Sequence, residues 1–117
     1  MFTVEDIKEW RGQDVVDPGG DKLGKLEEIY YDMGSDVPAF AAVKSGRLGK
    51  HLTLVPLTGG SVGQSYLRVT TAKAQFKDAP SFETDAELTQ RDEAAAFRHY
   101  GIDYEQSPDG ARRLAKH

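Results

Sequence analysis

The stretch Leu23-Gly24-Lys25-Leu26-Glu27-Glu28-Ile29-Tyr30-Tyr31-Asp32 decides the fold. Successive side chains of a strand point to opposite faces, so Ile29 and Tyr31 share one face and Tyr30 takes the other. Leu26 falls out of phase with that pair by an odd number of residues. One extra residue near Glu27 and Glu28, a β-bulge, returns Leu26 to the core face. The segment therefore reads as one bulged strand over 23–32. Turn clusters bound it, with Asp17-Pro18-Gly19-Gly20-Asp21 before and Gly34-Ser35-Asp36-Val37-Pro38 after.

Working outward, the clusters Ser45-Gly46-Arg47-Leu48-Gly49 and Thr58-Gly59-Gly60-Ser61 divide the chain up to residue 70 into five strands, over 13–17, 23–32, 39–45, 52–57 and 65–70. Leu67 and Val69 alternate with Tyr66, Arg68 and Thr70, which predicts one buried and one semi-polar face. Leu52-Thr53-Leu54-Val55-Pro56-Leu57 is apolar on both sides. That predicts a strand covered on both faces, bending or ending at Pro56, which has no N–H to give to a ladder. Short strands separated by regular turns point to a sandwich or a barrel. A small closed barrel is the more economical of the two because closure removes exposed edges.

Helical signals flank this β-rich region. Thr3 and Asp6 have capping-box spacing, Val4, Ile7 and Trp10 follow at helical intervals, and Gly12 closes a short N-terminal helix. Lys77 to Phe82 reads as an extended connector. Thr89 and Asp92 repeat the capping spacing, Ala94, Phe97 and Tyr100 form an apolar stripe, and Gly101 stands where a left-handed C-cap is wanted. This predicts a second helix laid against the barrel. The resulting division is a barrel-like unit over 1–82, a helical extension of the same domain over 83–104, and a polar mobile tail over 105–117.

Composition narrows the function classes. A chain of 117 residues with 38% apolar and 29% charged residues has the balance of one globular domain with one core. Fifteen basic against 19 acidic residues leave a formal net charge of −4, so there is no global positive field to draw in nucleic acid. The absence of cysteine excludes disulfides, thiolate metal sites and cysteine nucleophiles. The N-terminal residues alternate charged with apolar side chains, which is neither a signal peptide nor a membrane span. A cytoplasmic protein is expected.

Each catalytic or ligand motif fails on context. Gly59-Gly60-Ser61-Val62-Gly63 fits G-x-S-x-G, with Asp85 and His99 following in triad order. A nucleophile elbow needs a strand before the serine and a helix after it, whereas the strand Tyr66 to Thr70 follows here. A hydrolase using Ser61 is accordingly the last-ranked reading. Gly46-Arg47-Leu48-Gly49-Lys50-His51 echoes a phosphate loop, but its glycines are too close and His51 stands where a Ser or Thr belongs. His51, His99 and His117 have no partner at metal-ligand spacing. Asp14, Asp17 and Asp21 lack the register of a calcium loop and read as turn formers. No cofactor is expected.

Two surface features remain. Lys44, Arg47 and Lys50 lie within seven residues that contain no acid. They form either a solvated hairpin tip or a surface for an anionic partner. Tyr30, Tyr31, Tyr66, Phe76 and Phe82 are too many for the interior of one small barrel, so some of them line its outer wall. A packed helix takes part of this set, and a protein partner or a second copy of the chain takes the rest.

Gly12, Val15, Val16, Asp17, Gly20, Leu23 to Glu27, Tyr31-Asp32, Val55-Pro56-Leu57 and Leu67-Arg68-Val69 together resemble the PRC-barrel family over residues 3–80. The stretch from Val69 through Lys77-Asp78-Ala79-Pro80 to Arg98-His99-Tyr100-Gly101 further resembles a bacterial branch in which the barrel precedes a stress-associated domain. The resemblance implies a six-stranded β-barrel used as an interaction module. Relatives include the cytoplasmic domain of the photosynthetic reaction-centre H subunit and the C-terminal domain of a ribosome-maturation factor. This sequence departs from both, with no apolar run for a membrane helix and no companion N-terminal domain expected. It implies no catalytic residue. The resulting expectation is a non-enzymatic, self-associating scaffold or adaptor for a protein partner. The alternative is an accessory role in ribosome maturation or RNA processing.

Overall fold

The computed structural model describes residues 11–32, 38–45, 51–63, 65–83, 89–102 and 114–116. The strands are β1 (Asp14–Val16), β2 (Lys22–Asp32), β3 (Pro38–Ser45), β4 (His51–Pro56), β5 (Ser61–Val62), β6 (Tyr66–Arg68), β7 (Ser81–Glu83) and β8 (Leu114–Lys116). Two helices, α1 (Lys73–Asp78) and α2 (Gln90–His99), complete the described elements. The five strands expected up to residue 70 are present, and β4 ends at Pro56 as its missing N–H dictates. The expected N-terminal helix lies outside the described residues.

β2 is the spine. It pairs antiparallel with β1 through its first half and with β3 along most of its length. Between Leu26 and Glu28 the register against β3 slips, since two β2 steps match one from Val43 to Ala42. That is the bulge at Glu27 that the phase of Leu26 requires. Leu26, Ile29 and Tyr31 consequently share one core, each no more than 3% exposed. A second slip, between Val15 and Val16 against β2, brings Leu23 into the same core. At Gly24 the neighbouring strand comes so close that a Cβ would collide with the Lys44 carbonyl and the Val43 side chain. Only glycine fits there.

All eight strands belong to one sheet in the order β5-β6-β1-β2-β3-β4-β7, with β8 beside β2. β1 and β6 run parallel and the other ladders are antiparallel. Among the described residues no ladder joins β5 to β7, so the pairing does not draw the closed six-stranded barrel that was expected. The core at that opening is completed by a helix: Phe76 of α1 packs with Val15, Leu23, Val55, Leu67 and Val69. The expectation of an extended connector from Lys77 to Phe82 is corrected accordingly. Lys77 and Asp78 finish α1, and Ser81 and Phe82 enter β7.

The opposite face of the sheet is buried too. Tyr30, Phe40, Ala42, Leu52 and Leu54 project there and pack with Phe82, with Ala96 and Phe97 of α2, and with Leu114 of β8. α2 starts as its sequence demands. The Asp92 amide donates to the Thr89 hydroxyl at 3.1 Å, and the Thr89 amide donates to the Asp92 carboxylate at 3.2 Å. It stops at Gly101, whose φ of +69° is the left-handed cap. Phe97 meets Phe40 with ring centroids 5.1 Å apart, and the Tyr100 hydroxyl donates to the Leu54 carbonyl at 2.6 Å. Burial pushes the Tyr100 phenol well above its usual range. His99 Nε2 donates to the Gln75 carbonyl at 2.8 Å, fastening α2 to α1.

The polar run after Tyr104, expected as a mobile tail, ends in structure. β8 pairs with β2 through Tyr30↔Lys116, Tyr31↔Ala115 and Asp32↔Leu114. It occupies the part of the β2 edge beyond the reach of the three-residue β1. Leu114 is fully buried, and its amide donates at 2.9 Å to a carboxylate oxygen of Glu93, itself fully buried on α2. A three-residue strand with one large apolar side chain has no periodicity to read, so its docking is visible only once α2 and β2 are in place.

Candidate functional site

The aromatic set sorts by burial. Tyr30 and Phe82 lie beneath α2, while Tyr31 and Phe76 belong to the opposite core, and all four are at most 9% exposed. The chain's own packing covers them, which corrects their assignment to a partner-binding wall. Two faces of one sheet accommodate what the interior of a single barrel would not. Tyr66 alone of the five is left half-buried.

Tyr66 sits at the start of β6, next to the end of the sheet. β5 and β6 form a small antiparallel hairpin through Ser61↔Arg68 and Val62↔Leu67, and β6 lies parallel to β1. Leu67 points into the core, so Tyr66 and Arg68 share the opposite face. The Tyr66 ring lies directly over Gly63, where any Cβ would collide with it, and the Arg68 guanidinium stands 5.4 Å from the ring centroid. Val62, 40% exposed and paired with Leu67, puts an apolar side chain on the other face of the outermost strand. Among the described residues β5 has a ladder on one side only. An aromatic ring and an arginine on one face, with an exposed apolar residue on the other, flank this outer strand with side chains that protein interfaces favour.

The basic segment is divided. Lys44 is exposed at the end of β3 with its ammonium 4.0 Å from Glu27. Arg47 and Lys50 lie outside the described residues. The serine motif is placed as its context requires. Ser61 is exposed in β5, Gly59 holds a φ of +76° in the preceding turn, and a strand follows. Asp85 lies outside the described residues, and the His99 ring nitrogen is engaged by Gln75.

The aspartates of the β1–β2 turn have structural partners. Asp14 lies 3.3 Å from Lys22 and 3.4 Å from Lys25, and the Lys22 ammonium in particular holds its carboxyl below the usual range. Asp17 accepts the amides of Asp21 at 2.8 Å and Gly19 at 2.9 Å. These backbone donors, Asp21 first, lower its pKa despite the opposing effect of burial. Sequence reading marked Asp17 as a turn former. Among the described residues no three His, Asp or Glu side chains gather as a metal site, and no helix is long and apolar enough to cross a membrane.

Residues 2–76 match the family model described as the PRC-barrel domain. The match takes in β1 to β6 and all but the end of α1, and it stops short of β7, α2 and β8. No curated protein matches the chain.

Proposed function

This chain belongs to the PRC-barrel domain family, and from that premise we propose that it is a non-enzymatic protein-interaction module, a cytoplasmic scaffold or adaptor that also self-associates. On this reading the curled sheet corresponds to the family's barrel, and its β5–β6 end is the contact surface. One observation carries the proposal. Among the described residues both sheet faces are filled by the chain itself, and the outer edge of β5–β6 is flanked by Tyr66 and Arg68 on one face and by exposed Val62 on the other. Light scattering across a concentration series, combined with cross-linking and mass spectrometry, tests it. Concentration-dependent association or partner cross-links that map to residues 61–68, and that disappear in Val62→Asp or Tyr66→Ala, support the reading. A strict monomer with no cross-link at that edge contradicts it.

The alternative, an accessory role in ribosome maturation or RNA processing, rests on the resemblance and on the Lys44 to Lys50 segment. Direct RNA contact predicts binding that falls steeply with salt and with Arg47→Glu or Lys50→Glu. The hydrolase reading predicts an activity abolished by Ser61→Ala.

A further inference from the structure

At the end of the sheet away from β5, a cavity of about 370 Å³ opens where β3, β4, α1 and β7 meet. Its volume lies within the roughly 300–1,000 Å³ of small-molecule sites. Leu23 of β2 and Phe76 of α1 give it apolar walls, both being anchored in the core. Lys73 and Lys77 line it from α1 and His51 from β4. Positions 73 and 77 are four apart on the helix, so both ammonium groups issue from one side of it.

Among the described residues, the charged side chains that line this cavity are basic. Among the described residues, ion pairs engage Arg11, Lys22, Lys25 and Lys44, and none engages Lys73 or Lys77. Among the described residues that line the cavity there is no Asp or Glu. Thr53 also contributes to the wall. It is 4% exposed, and among the described residues its hydroxyl has no hydrogen-bond partner. A buried hydroxyl without a partner carries a desolvation cost that a ligand atom removes. Thr53 lies within the β3–β4–β7 ladders, so main-chain pairing holds the wall it belongs to.

We propose that this cavity binds a small organic anion, a phosphate or carboxylate joined to an apolar group. Lys73 and Lys77 meet the negative charge, the Thr53 hydroxyl supplies a hydrogen bond from the wall, and Leu23 and Phe76 take the apolar portion. The site is separate from the β5–β6 edge, so it stands or falls independently of the interaction role.

Amide NMR titration of the intact chain tests the proposal with phenyl phosphate, benzoate, inorganic phosphate and benzyl alcohol. Saturable shifts at residues 51–53 and 73–81 are expected from phenyl phosphate or benzoate, and the stronger of the two identifies the preferred anion. Inorganic phosphate and benzyl alcohol, each offering half of the chemistry, are expected to bind at least tenfold more weakly. Lys73→Gln/Lys77→Gln should weaken binding at least tenfold, and Thr53→Val about threefold, with the melting temperature of each variant checked alongside. Raising the salt should weaken it further. The proposal is overturned by absence of saturable shifts at millimolar ligand, by undiminished binding in a folded double-lysine variant, or by shifts of equal size around Lys22 and Lys25. It is equally overturned if inorganic phosphate matches phenyl phosphate, or if a short single-stranded RNA binds more tightly through residues outside the cavity.

Discussion

Tyr30 and Tyr31 are neighbours in sequence, 2% and 3% exposed, yet different parts of the chain bury them. Tyr31 faces a core built from Val15, Leu26, Ile29, Val43, Val55, Leu67 and Phe76, all inside the segment that matches the family. Tyr30 faces a second core in which Phe82, Ala96, Phe97 and Leu114 come from beyond that segment. One face is closed by the strands and α1. The other depends on a helix and a strand that return from the C-terminal part of the chain. A strand buried on both faces thus needs two sets of partners, and only one belongs to the family's shared fold.

The largest way to break this comparison is to end the chain after Ala79. Tyr30, Phe40, Leu52 and Leu54 would then lie open to solvent, at roughly 25 cal/mol per Å² of apolar surface uncovered. The truncated protein is expected to self-associate and to lose its cooperative thermal transition, read by light scattering and calorimetry. A monomeric truncation with an unchanged transition would mean that the second face contributes little.

A sharper cut removes one side chain. Phe97→Ala deletes the ring that meets Phe40 and is expected to cost about 3–5 kcal/mol of unfolding free energy in a denaturant titration. Val62→Ala at the exposed edge should stay within about 0.5 kcal/mol of the parent.

The smallest effect concerns the turn between β1 and β2. The Asp17 carboxyl has a lowered pKa in the folded state, so its contribution to stability is fully present above the unfolded value, about pH 4, and fades as the pH falls through the lower folded value. Asp17→Asn removes that dependence. Its melting temperature should fall less steeply than the parent's on acidification below about pH 4, while near neutrality it should melt somewhat lower. Parallel acid limbs would show that the backbone donors do not favour the charged form.

What the sequence revealed follows the same division. The phase error at Leu26 located a bulge, because period-two alternation is a local property that a misplaced leucine visibly violates. Thr89, Asp92 and Gly101 marked both ends of α2 for a similar reason, since caps are local chemistry. β7, β8 and the buried aromatics were illegible because nothing within their short segments says what they meet. Phe82 and Leu114 acquire their burial from α2 and β4, elements distant in sequence. The candidate surface suffered in proportion. Counting aromatics against one interior overestimated the number left for a partner, and Tyr66 remained half-buried because it sits on the short hairpin at the sheet's end.

The C-terminal strand β8 is an integral part of the fold. This is tested most directly by hydrogen exchange at the Leu114 amide, which donates to the buried Glu93 carboxylate and belongs to a residue paired with Asp32. The predicted result is slow exchange at Leu114, comparable to the amides of β3, with loss of that protection in Glu93→Ala while Val43 remains protected. Exchange of Leu114 at the rate of an unstructured chain in the intact protein, with β3 protected, would contradict it.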